Sequence, residues 1–189
     1  MLLLLTSGCL SLAADTSFAP PGGTRLATLS SRAWLAPVEI NDPRFGGSRD
    51  IVVPSLTTNI RRYLSETQQF SSVGILPGAV EDRDLVLRFE FDAFRSDLSL
   101  YSLYVPAALL TATLYIWLGG PVWVAEQNVG ASLRVEDGSG RVLGEFERSA
   151  SGSDYISFWD PFPTGQAIRT EVLRGIVEEM NGALRADPR

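Results

Sequence analysis

Asp84-Leu85-Val86-Leu87-Arg88-Phe89-Glu90-Phe91-Asp92-Ala93-Phe94 is the stretch that decides the fold. Leu85, Leu87, Phe89, Phe91 and Ala93 alternate with Val86, Arg88, Glu90, Asp92 and Phe94. A strand with this pattern has one apolar face and one mostly charged face. The alternation returns at Val129, Ala131, Leu133 and Val135, with Ser132, Arg134 and Glu136 on the opposite face. Asp137-Gly138-Ser139-Gly140 supplies a turn, and Val142, Gly144 and Phe146 continue as the returning strand. The three segments form a meander that turns one face towards a core.

Helical patterns flank the meander. Leu56, Ile60, Tyr63 and Leu64 fall at i, i+4, i+7 and i+8 and draw an apolar stripe, with Asn59, Arg61, Arg62 and Glu66 on the other faces. The spacing predicts a helix over 54–69 with Pro54 in its first turn. A second helix is expected from about Thr164, a possible cap, to about Leu184. Its buried face would carry Ile168, Val172, Leu173, Ile176, Val177, Met180 and Leu184, opposite Arg169, Arg174, Glu178 and Arg185. Before the first helix, 34–40 reads as one strand ending near Ile40 and 41–48 as a turn-rich loop. Gly46-Gly47-Ser48 in that loop lacks the spacing and the Lys of a phosphate loop. A short strand follows Phe70 and ends at Pro77-Gly78. The expected fold is α+β: a single domain with a mostly antiparallel sheet covered by two helices, and an extra hydrophobic helix or hairpin.

Composition narrows function. The 189 residues carry 16 Lys plus Arg against 22 Asp plus Glu, a formal charge of −6. No nucleic-acid partner is expected, because the phosphate backbone requires a concentrated positive field. There is no His, which removes His-based nucleophile systems and His metal sites. The single Cys excludes an intrachain disulfide and a cysteine-cluster metal site. No catalytic residue, metal site or cofactor is assigned. The carboxylates at Glu81, Asp82, Asp84, Glu90, Asp92, Glu178 and Glu179 read as solvated surface more readily than as an acid–base pair.

That single Cys follows an apolar run, Leu2-Leu3-Leu4-Leu5-Thr6-Ser7-Gly8-Cys9. The run resembles the end of a bacterial lipoprotein signal, which implies a partial signal over 1–8 and lipidation at Cys9. It departs from that pattern in lacking a basic leader segment and in having Thr6 three residues before the Cys. Residues 9–23, poor in charge and rich in Pro, Gly and small residues, then read as a lipidated, flexible tether to a domain over 24–186. Leu10 after the Cys, where the inner-membrane retention signal has Asp, points to the outer membrane. The order of elements, with Ala36-Pro37-Val38 in the early strand and Asp137-Gly138-Ser139-Gly140-Arg141-Val142-Leu143 in the hairpin, is similar to auxiliary lipoproteins of bacterial ABC-type transport systems. It is also similar to small envelope lipoproteins with a domain like the amino-terminal domain of TolB or of the curli secretion lipoprotein. The resemblance implies an outer-membrane lipoprotein facing the periplasm, with an envelope protein partner or homo-oligomer.

The least ordinary feature is an uncharged insertion over 98–125, 28 residues between Asp97 and Glu126, which neither pattern contains. Pro106 suits a helix start and Gly119-Gly120-Pro121 a stop. The resulting helix of about 20 Å is too short for a bilayer core of about 30 Å. The segment can pack on the sheet, dock against a protein, or dip into lipid. Tyr101, Tyr104, Tyr115, Trp117 and Trp123 suit a protein interface or a membrane boundary, since each ring joins an apolar body to a polar tip. The aromatic segment 154–163 holds Tyr155 and Trp159. It either caps the core or, if exposed, presents those two rings as anchors. Three functions follow: a non-enzymatic accessory or assembly subunit of an envelope transport or secretion system, a periplasmic module for a lipid or hydrophobic ligand, or a small hydrolase.

Overall fold

A computed structural model of the chain describes residues 16–20, 29–42, 49–111, 114–161 and 165–186. Among these described residues six strands form one mixed sheet that does not close into a barrel: β1 (Ala33–Leu35), β2 (Glu39–Ile40), β3 (Val73–Ile75), β4 (Leu85–Leu100), β5 (Pro121–Asp137) and β6 (Val142–Ser157). Four helices accompany them: α1 (Arg49–Glu66), α2 (Tyr104–Leu110), α3 (Leu114–Trp117) and α4 (Gln166–Ala186). The order is β3-β1-β4-β5-β6, with β2 beside β4. The α+β class, the antiparallel meander β4-β5-β6 and the two covering helices agree with the sequence patterns.

The strand expected to end near Ile40 is two strands on the same edge of β4. β1 runs parallel to Leu85–Leu87 and β2 to Glu90–Phe91. Pro37, which has no N–H, stands in the gap. The ladder is bridged there by hydrogen bonds from the Ala36 N–H to the Leu87 carbonyl (2.9 Å) and from the Asn41 N–H to the Phe91 carbonyl (2.8 Å).

One cluster forms the core. Leu35, Leu87, Phe89, Phe91, Leu133 and Val135 on the sheet pack against Leu56, Ile60 and Leu64 of α1 and Leu173, Ile176 and Met180 of α4. The opposite face carries Arg88, Glu90, Arg134 and Glu136, so the alternation assigns both faces correctly as far as Phe91. A bulge between Phe91 and Ala93 then inserts one residue and reverses the facing. Phe94, expected on the charged face, therefore turns inward and meets the Phe91 ring edge-on at 5.7 Å, while Ala93 moves out.

Three further boundaries differ from the sequence expectation. α1 begins at Arg49, so Pro54 lies inside the helix rather than at its first turn. The early turn buries Val52 in the core, which offsets the hydrogen bond Pro54 cannot donate. The helix stops at Glu66 because Gln68 adopts a left-handed conformation (φ 54°). In α4, Arg169 is buried rather than solvent-facing, with its guanidinium over the Phe94 ring at 5.6 Å. Thr164 lies outside the described residues.

Residues 16–19 do not act as a loose tether. Phe18 is buried in the core 6.1 Å from the Tyr63 ring, and the Ala19 N–H donates to Thr170 Oγ1 at 2.8 Å. Asn59 Nδ2 donates to the Thr16 carbonyl at 3.1 Å and to Thr16 Oγ1 at 2.9 Å. The guanidinium of Arg169 donates to the Ser17 carbonyl at 3.4 Å. This strap ties α1 to the first turns of α4.

At the opposite end, Asp137 organises the β5-β6 turn. Its carboxylate accepts from the Ser139 hydroxyl, the Ser139 and Arg141 N–H groups, and the Arg141 guanidinium. The Ser139 hydroxyl and the Arg141 N–H do most to hold its pKa down at about 2. The pKa is lower folded than unfolded, so the turn keeps its full stabilisation above about pH 4 and loses it as pH falls towards 2. An NMR titration of the Asp137 carboxyl should show a midpoint near 2, and Ser139→Ala should raise it.

Candidate functional site

The helices end before the sheet does. β4, β5 and β6 run 16, 17 and 16 residues, about 50 Å each, whereas the 18 residues of α1 and 21 of α4 span about 27 and 32 Å. Along the sheet, the main core reaches the level where Phe94 pairs with Val129 and Val129 with Ala150. Beyond it the ladder continues to Leu100 opposite Trp123, and Val122, Ala125 and Ile156 are buried outside the main cluster. The uncharged segment caps this projecting end.

The expected single helix over 106–118 is instead α2 and α3, and Thr111 marks the break. Its hydroxyl donates to the Ala107 carbonyl at 2.8 Å and accepts from the Tyr115 N–H at 3.1 Å, so it closes one helix and caps the next. Neither helix contains a buried residue. Leu110 is 87% exposed, Leu118 85%, Leu109 77% and Trp117 71%. The segment thus leaves most of its large apolar side chains bare, while Tyr104, Tyr115 and Ile116 are half-buried.

Side chains from three parts of the chain build the tip. Tyr101 meets Tyr155 edge-on at 5.5 Å, and Tyr104 lies 6.4 Å from Tyr115. Trp117 lies 5.5 Å from Trp159, and Trp123 stacks on Phe158 at 6.2 Å. Trp159 Nε1 donates to the Ile116 carbonyl at 3.0 Å, and the Tyr115 hydroxyl to the Pro121 carbonyl at 3.2 Å. Burial raises the pKa of the Tyr115 hydroxyl, with Tyr101 adding to the effect. Of the residues singled out in the sequence, Tyr104, Tyr115, Trp117, Trp123, Tyr155 and Trp159 all meet here. Cys9 lies outside the described residues.

The aromatic segment after Asp154 is a second correction. It begins as the end of β6 rather than as a loop, and Tyr155, Phe158 and Trp159 are exposed rather than capping the core. Asp160 holds the turn after it. Its carboxylate accepts from Ser157, first from the hydroxyl and then from the N–H, and its pKa is lowered. Sequence reading missed Phe158 as a member of the tip, although its place beside Trp159 carried the signal.

Gly120 fixes how closely the helices approach β5. A Cβ there would lie 2.4 Å from the Tyr115 ring. Gly120→Val is expected to displace Tyr115, break its bond to Pro121 and loosen the tip while the core stays folded. Near-ultraviolet circular dichroism should change and far-ultraviolet should not.

The charged sheet face is arranged differently. A shallow depression of about 350 Å3 is lined by Glu39, Arg88, Glu90, Arg134 and Glu136. Two of these carboxylates, Glu136 and Glu90, are engaged. Arg88 and Arg134 hold Glu136 at 3.1 and 3.0 Å, and Asn41 donates to Glu90. Among the described residues no helix is long and apolar enough to cross a membrane.

No family model matches the sequence, and no curated protein matches it. The chain is similar to several solved structures. A DUF330 protein from Xanthomonas campestris has a TM-score of 0.49 at 10% identity, covering 89% of this chain and 90% of that one. A neuraminyllactose-binding hemagglutinin homolog from Helicobacter pylori has a TM-score of 0.44 at 15% identity, covering 88% and 91%. Lipoprotein GNA1162 from Neisseria meningitidis has a TM-score of 0.37 at 13% identity, covering 83% and 99%.

Proposed function

We propose that this chain is a non-enzymatic accessory or assembly lipoprotein of the bacterial envelope, tethered at Cys9 to the outer membrane and facing the periplasm, whose working contact is the aromatic tip. One observation carries the reading: eleven of the thirteen large exposed apolar side chains among the described residues belong to one end of the domain, Ile51 on α1 and Val142 after the β5-β6 turn being the exceptions. Leu100, Leu103, Val105, Leu109, Leu110 and Leu114 are exposed in one continuous stretch of chain, joined by Trp117, Leu118, Tyr155, Phe158 and Trp159. Such a patch marks an interaction site, because water contact costs free energy in proportion to apolar area. On the charged face Glu136 is held by two arginines and Glu90 by Asn41, which favours this reading over a hydrolase.

Two measurements test it. Palmitate labelling in a Gram-negative host is expected to mark the protein, and Cys9→Ser to abolish the label. Light-activated crosslinkers placed at Trp117 or Trp159 should yield envelope adducts, whereas the same group at Arg134 on the charged face should not. Photochemical groups are required because all 16 basic side chains are Arg, which leaves no lysine amine to couple. Adducts from both faces alike would remove the tip as the working contact, and an unlabelled protein would remove the anchor.

A further inference from the structure

We infer that the tip inserts into a lipid surface, resting on the proposal that the tip is the working contact and naming a bilayer as its occupant. Four observations converge on lipid rather than on a protein.

The first is depth order. Leu109, Leu110 and Leu118 are the most exposed apolar groups on α2, α3 and their connections. Trp117, Trp159, Tyr101, Tyr104 and Tyr115 form a girdle tied together by ring contacts. Charge returns only at Asp97, Glu126, Asp154 and Asp160. Aliphatic, then aromatic, then charged is the order a bilayer imposes along its normal.

The second is backbone satisfaction. Hydrocarbon offers no hydrogen bonds, so an inserting segment must close its own. Here the Thr111 N–H donates to Ala107, Leu114 to Thr111, Leu118 to Leu114, Gly119 to Ile116 and Gly120 to Tyr115, all at 2.9–3.1 Å. The Trp159 indole and the Tyr115 hydroxyl also donate to carbonyls of the tip.

The third is size. The 7 residues of α2 and 4 of α3 span about 10 and 6 Å, far short of a hydrocarbon core of about 30 Å, so they suit the interface rather than a span.

The fourth is the anchor. The strap is bound at the tip-side end of the helical layer. Ser17 sits on Arg169, one turn into α4, and Arg169 stacks on Phe94. From Phe94 to Leu100 the strand rises about 20 Å. The seven residues from Cys9 to Thr16 reach at most about 25 Å. A lipidated Cys9 and the tip thus reach one membrane surface together, and each raises the local concentration of the other. The acidic ring predicts a preference for zwitterionic over anionic headgroups, stronger at low salt.

The test uses the full chain with Cys9→Ser and vesicles of phosphatidylcholine and phosphatidylethanolamine. Co-flotation is expected, with Trp117 and Trp159 quenched by brominated acyl chains and the half-buried Trp34 indole, bonded to Asp84 away from the tip, unquenched. Leu110→Asp with Leu118→Asp should lower vesicle binding by at least about tenfold and remove the quenching, and Leu109→Ser should act in the same direction. These side chains are exposed, so the unfolding midpoint should not move. Adding phosphatidylglycerol should weaken binding. Absence of tip quenching overturns the inference, as does quenching that survives both variants. Tip-dependent crosslinks to an envelope protein without vesicle quenching overturn it while leaving the proposed function standing. Tip-dependent self-association in sedimentation, again without quenching, assigns the surface to a second copy. Loss of palmitate label with quenching intact fails the anchor alone.

Discussion

Asp84→Ala is expected to destabilise the domain by about 2–3 kcal/mol, read as a shift in urea midpoint at unchanged slope. Asp84 is buried at the start of β4 and accepts three hydrogen bonds there: from Arg32 Nε at 3.0 Å, from Trp34 Nε1 at 2.9 Å and from the Glu81 N–H at 3.0 Å. Removing the carboxylate orphans an indole and a backbone N–H, and each buried donor left without an acceptor carries its own desolvation cost. It also releases Trp34, whose ring lies over Gly74 and Gly78 so closely that a Cβ on Gly78 would come within 2.1 Å. Burial alone would raise the Asp84 pKa. The hydrogen bonds from Glu81, Trp34 and Arg32 together outweigh it, and the pKa is lowered. The stabilisation is therefore complete above the unfolded value near 4 and is lost as pH falls below it. Wild type should lose stability in that acid range and Asp84→Ala should lose less. A variant within about 0.5 kcal/mol of wild type would show that the site does not tie β1, β3 and β4 together.

Phe18→Ala should cost about 3 kcal/mol and undock the strap. The ring is buried at the meeting of α1 and α4, and the strap's remaining bonds are to side chains that water can replace. Hydrogen exchange should accelerate at the Ala19 amide and in the first turns of α4 while β4 and β5 stay protected. Asn59→Ala, which removes hydrogen bonds and leaves the ring in place, should cost about 1 kcal/mol and keep the strap docked. An undocked strap also lengthens the reach from Cys9, so Phe18→Ala should weaken the cooperation between anchor and tip without altering the tip's own affinity for vesicles.

Both sites lie in places where the sequence carried little sign of them. Asp84 reads as one of several acids in a loop, and only the parallel approach of β1 brings Arg32 and Trp34 onto it. Residues 9–23 have the composition of a linker, and nothing in that composition marks 16–19 as the part that packs between two helices. Arg169 falls on the polar side of α4's helical pattern, yet the strap and Phe94 cover it. The tip was legible in part. Its missing charge and its aromatic residues stand out in the chain, but their exposure does not.

The sequence by itself determined the periodic elements: the alternation that separates core from charged face in β4 and β5, the apolar stripes of α1 and α4, and the Asp137 turn. Each depends on neighbours within a few residues, where side-chain period and turn chemistry act directly. Only the tertiary structure decided what is covered. The bulge after Phe91 reverses one strand's facing, and strands of about 50 Å outrun helices of about 30 Å. An apolar segment is buried or bare according to whether some distant element is long enough to reach it. That relation between lengths leaves 98–125, the most hydrophobic part of the domain, at its exposed end.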